Sequence, residues 1–72
     1  MTTIEAAEAR ADNSFSADEM TVIRTTARRL IEEVKIDNPA GIAWFGSHLE
    51  QLAGRSRARR LLGDRMAAKV YG

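Results

Sequence analysis

Seventy-two residues with no cysteine and a single histidine, His48, exclude disulfides, cysteine-based zinc or redox sites and a Cys–His nucleophile pair. They allow one domain, too short to bury a large share of its surface, so tight helix packing or a partner chain must supply stability. The net charge is only +1, but Met1–Glu50 holds five basic and nine acidic residues, whereas Gln51–Gly72 holds six basic and one acidic.

Met-Thr-Thr-Ile-Glu carries neither a basic n-region nor an apolar h-region. No apolar run approaches the ~18 residues of a membrane span. The expectation is a soluble, cytoplasmic protein without a membrane partner.

Residues 1–15 read as a flexible or weakly helical arm. Ile4 is the only large aliphatic side chain from Thr2 to Ser14, although Thr2 and Glu5 fit a capping box. Asp12-Asn-Ser14 reads as a loop. Residues 16–72 read as a single helical domain of three main helices, so the fold class is all-α.

The first main helix is predicted over Ala17–Lys35. Ser16 and Glu19 form its capping box, Phe15 and Met20 stand at the staple positions, and Asp18 and Glu19 complement the positive end of the helix dipole. Met20, Ile23, Ala27, Leu30, Ile31 and Val34 make one apolar seam at three- and four-residue steps. Arg28 with Glu32 and Arg29 with Glu33 are expected as solvent-side ion pairs.

Asp37-Asn-Pro39 ends that helix and opens a second over Pro39–Ala53, with Gly54 as its left-handed helical (αL) stop. Ile42, Phe45, Leu49 and Leu52 share its apolar stripe. Gly46 either breaks the helix or lets a neighbour approach closely, because glycine costs about 1 kcal/mol in a helix interior. A third helix is expected from Arg57, capped by Ser56, with Ala58, Leu62, Met66 and Val70 on one side. Gly63-Asp64 is its candidate interruption.

Catalytic inventories fail. There is no phosphate-cradling glycine loop, and Glu32-Glu33 point in different directions on a helix. We expect a protein that is not an enzyme and uses neither metal nor cofactor.

Two constellations carry a functional signal. The run Gly54-Arg-Ser-Arg-Ala-Arg-Arg60 places Arg55, Ser56, Arg57, Arg59 and Arg60 after a short glycine turn. A helix-turn-helix puts such residues on DNA, with turn residues at phosphates and the early helix at base edges. Arg55 and Ser56 would meet the backbone. Arg57 and Arg60, three apart on one face, would read guanine, and Arg59, leaning toward the core, would snorkel or reach a phosphate. Arginines at a helix N-terminus oppose its dipole, which favours a role for them beyond stability.

The second constellation is Trp44, nearly opposite the Ile42/Phe45/Leu49/Leu52 stripe. It is either covered by the arm or Tyr71, or it anchors an interface. The expected function is a small regulator binding DNA through the arginines. The alternatives are a protein-binding module or inhibitor that meets an acidic protein surface with the arginines and Trp44, or a structural or adaptor subunit. A homodimer would cover Trp44 and duplicate the arginine patch.

Overall fold

A computed structural model describes residues 2–72, which form an all-α domain. Among them are five α-helices: α1 (Thr3–Ala9), α2 (Ala17–Lys35), α3 (Pro39–Ala53), α4 (Arg55–Leu62) and α5 (Asp64–Tyr71). Asp12–Ser14, expected as a loop, forms one 3-10 turn.

The arm is helical, and it is docked. Its capping box is complete, with the Glu5 N–H donating to Thr2 Oγ1 over 3.1 Å. A seven-residue helix is unstable alone, so packing must hold it. Ala7 supplies that packing, buried where α1 lies across α3 and α4.

α2 begins as its sequence signals dictate, with Ser16 and Glu19 capping each other and Phe15 and Met20 packed on the core. It ends in a Schellman arrangement: Asn38 N–H donates to Glu33 O, Asp37 N–H donates to Val34 O, and Asp37 takes the left-handed position at φ 54°. The short turn returns the chain as α3, and α2 and α3 form the largest helix contact.

The core joins Ile23, Ala27 and Leu30 of α2, Leu49 and Ala53 of α3, and Ala58 of α4. Among the described residues only Ile23, Leu30 and Leu49 are large and fully buried. Each contributes about 1.5–3 kcal/mol. So small a core makes the polar contacts between helices unusually influential.

Two local expectations are corrected. Glu33 is buried, not solvent-side: Asn38 Nδ2 donates to it over 3.0 Å and Arg29 approaches at 3.5 Å. Its carboxylate lies against Gly41, where it faces the positive end of α3, whose cap residue Asn38 makes no side-chain cap bond. Glu32 pairs with Lys35 at 3.8 Å rather than with Arg28.

α3 runs unbroken through Gly46. A Cβ there would stand 2.9 Å from Val70 Cγ1, and the Tyr71 hydroxyl donates to Gly46 O over 2.8 Å, so this glycine is where α5 approaches α3. Burial pushes the Tyr71 hydroxyl up to about 12.

The third expected helix is two. Gly63, at φ 84° and ψ 159°, separates α4 from α5 and serves as C-cap of one and N-cap of the other. Gly54 does the same between α3 and α4, at φ 85° and ψ 163°, an extended positive-φ corner rather than the left-handed helical stop expected. α4 therefore starts at Arg55, and Ser56 lies inside its first turn rather than at the cap.

Candidate functional site

The arginine run does not form a free exposed face. Arg57 points inward, its side chain only 11% exposed. One nitrogen of its guanidinium donates to Ala53 O at 2.6 Å and to Ala7 O at 3.2 Å, and another donates to Arg10 O at 2.7 Å. It also pairs with Asp12 at 2.8 Å and lies 4.7 Å from the Phe15 ring centre. The placement of Arg57 beside Arg60 on one outward face is thus corrected. The tight Gly54 corner turns the Arg57 side chain back over the C-terminal ends of α1 and α3, the negative ends of their dipoles, and Ala7 O accepts the Arg10 N–H as well.

Ser56 and Glu8 form the complementary contact. The Ser56 N–H donates to Glu8 Oε1 over 3.1 Å, and its hydroxyl donates to Glu8 Oε2. These bonds hold the Glu8 carboxyl below its ordinary value, aided by the nearby charges of Arg57 and Arg60. Glu8 therefore places an anion at the N-terminus of α4, where a DNA phosphate would sit in a helix-turn-helix complex.

The other arginines are outward. Arg60 shares Asp12 with Arg57, its Nη2 3.2 Å from Asp12 Oδ1. Hydrogen bonds from Arg60 and then Arg57 hold the Asp12 carboxyl below its usual range. Arg55 approaches Glu50 at 3.8 Å. Arg59, expected to lean toward the core, is exposed: it lies 5.5 Å from the Tyr71 ring centre and reaches Gly72 O at 3.4 Å. Arg59, Arg65 and Lys69 form no ion pair among the described residues.

A third cluster ties the arm to α2. Arg10 pairs with Glu19 at 2.8 Å and lies 4.0 Å from the Phe15 ring centre. The hydrogen bond from Arg10, reinforced by the Ser16 N–H, lowers the Glu19 carboxyl to about 2. Glu8, Asp12 and Glu19 all have folded values below their unfolded ones. The stability they contribute is complete above about pH 4.5 and is lost as pH falls toward 2. The urea midpoint should hold steady from pH 6 to 5 and then decline continuously to pH 2.5. In Glu19→Gln the decline should be shallower, and an equally steep decline would show that this pair is not a source of it.

Trp44 is covered by neither the arm nor Tyr71. It is 61% exposed on the outward side of α3, its ring edge-on to Phe45 at 4.8 Å and stacked with His48 at 5.1 Å. The outward row around it, Ala40, Ala43, Ser47 and Gln51, carries no charge. Such a row stands out in a chain with 21 charged residues. Arg29 lies over Phe45 at 5.3 Å, so the row borders the α2–α3 seam.

Farther along that seam is an open cavity of about 290 Å³, lined by Phe15, Asp18, Glu19, Val22, Ile23 and Leu52. The sequence offered one overlooked sign of it. Val22 is apolar but falls outside the α2 seam, and it is 50% exposed at the cavity.

No match to this chain is found among protein-family models, curated proteins or solved structures. No helix among the described residues is long and apolar enough to cross a membrane.

Proposed function

We propose that this protein is a small non-enzymatic protein-binding module that docks its partner through the outward face of α3, with Trp44 as anchor. The observation that supports this reading is the exposed tryptophan on an uncharged helix row. Tryptophan is over-represented among residues that dominate binding energy, and charge is depleted at interface centres. The arginines favoured by sequence weigh less, because Arg57 and Ser56 are committed to internal contacts and Asp12 draws on Arg60.

The test compares affinity capture from host lysate by wild type, Trp44→Glu and the triple variant Arg59→Glu/Arg65→Glu/Lys69→Glu. A protein retained by wild type and by the triple variant, and lost with a fully helical Trp44→Glu, is the expected result. Capture that ignores Trp44 would overturn the reading.

A second reading, DNA binding by a regulator, is favoured by the three unpaired cations Arg59, Arg65 and Lys69 on α4 and α5. It requires contact through their outward sides rather than base reading by Arg57. Its signature is duplex binding whose log–log salt slope is about −2.7 for three neutralised phosphates. That binding would be abolished in the triple variant and intact in Trp44→Glu.

A further inference from the structure

We propose that the occupant of the α3 face is a second copy of this chain, in a symmetric dimer where Trp44 of each copy fills the Phe15/Val22/Leu52 cavity of the other. This rests on reading the face as a protein-docking surface and names the partner.

Knob and cavity lie on one side of the molecule. Val22 and Arg29, seven residues apart, share an edge of α2. Arg29 lies over Phe45, and Phe45 touches Trp44. The α2–α3 seam therefore runs from the cavity, past Arg29, to Trp44. Along α3, Trp44 and Leu52 are eight residues apart, about 12 Å. A two-fold axis near His48, midway between them, sets each Trp44 against the other copy's Leu52. The contact is reciprocal, so it closes as a dimer and does not propagate.

Size and charge agree with that arrangement. An apolar cavity of roughly 150 Å³ takes a benzene ring. The cavity here, about 290 Å³, has room for an indole. At the knob end Arg29, 60% exposed, turns one side of its guanidinium to Glu33 at 3.5 Å and the other outward, and the cavity rim is acidic at Asp18. Rotation about the axis brings basic end to acidic end twice. The uncharged row of α3 contributes no repulsion at the centre, and Ala40, Ala43 and Ser47 are small enough for close helix approach.

A standard interface takes ~800 Å² from each partner. That is a large share of a chain with 4681 Å² of surface. A single helix face offers less, so the dimer should be weak and reversible.

The experiment is sedimentation velocity from micromolar to millimolar concentration, read beside the emission of Trp44, the only tryptophan in the chain. Wild type should shift from monomer to dimer while its emission moves to the blue. Trp44→Ala, at an exposed position, should keep its helical signal and weaken dimerisation at least about thirtyfold. Val22→Trp, filling the cavity, should weaken it similarly. An equimolar mixture of the two variants should associate better than either alone, because one intact knob then meets one intact cavity.

A wild type that stays monomeric at millimolar concentration overturns the proposal. So does dimerisation unaffected by Trp44→Ala, or a mixture no better than its components. Trp44-dependent capture of a different protein by a monomeric wild type would overturn the dimer while leaving the protein-binding reading in place.

Discussion

Arg57→Ala should destabilise this domain by about 3–5 kcal/mol, because three part-buried carbonyls each lose a charge-assisted hydrogen bond, at about 1–1.5 kcal/mol apiece, whereas Asp12 is exposed and keeps Arg60. Three carbonyls, Ala7 O, Arg10 O and Ala53 O, lose a charged donor, and Asp12 loses its shortest ion pair. A domain of this length is stabilised by about 4–11 kcal/mol in total. The variant should therefore melt at least roughly 12 °C lower, at about 4–8 °C per kcal/mol. Arg57→Lys should fall between, since a lysine keeps the charge but cannot supply the planar fork that reaches α1, α3 and Asp12 together. Arg60→Ala, at an exposed position on the same aspartate, should change the melt little. Circular dichroism melts of the three variants check this ordering. An Arg57→Ala melt within a few degrees of wild type would show that the clamp contributes nothing.

Gly54→Ala should be nearly as damaging, for a different reason. At φ 85° and ψ 163° the backbone sits in a region open essentially to glycine, and an alanine there costs about 1–3 kcal/mol in strain. Its Cβ would also stand 2.6 Å from Glu8 Cα and 2.8 Å from Glu8 N, backbone that cannot yield without moving α1. Overpacking of that kind adds about 1–3 kcal/mol. Gly63 provides the control. Its φ is 84° and ψ 159°, yet a Cβ there meets nothing within 4 Å. Gly63→Ala should thus carry the strain alone, and the difference between the two melts measures how tightly α1 is seated. Equal losses at both glycines would mean that α1 contributes no steric constraint. Combined with Arg57→Ala, Gly54→Ala should cost less than the sum, because both act on the same helix contact.

These two positions resolve the apparent misplacement of the arginines. Four arginines at the start of a helix oppose its own dipole. In the fold the Arg57 guanidinium serves the negative ends of α1 and α3 instead, while Glu8 supplies the anion that α4 needs. A charge pattern that looked like an external binding signal is, in part, an internal fastening between segments about fifty residues apart.

The helical class, the start of α2, the stop at Gly54 and the α2 core seam were legible in the sequence because their causes are local: a capping box, a three-to-four periodicity, a glycine where φ must be positive. The direction of Trp44, opposite the α3 stripe, likewise follows from a 100° step along one helix, but that it stays 61% exposed rather than covered by another segment was decided by packing. The docking of α1, the burial of Glu33 and the inward turn of Arg57 depend on contacts with distant segments or on the corners at Asp37 and Gly54. No spacing rule along a single helix encodes those relations. Tertiary structure alone decided which arginines are spent inside the domain and which remain outward. It also placed an open apolar cavity on the same seam as the tryptophan, because a seam between two helices exists only once they have packed.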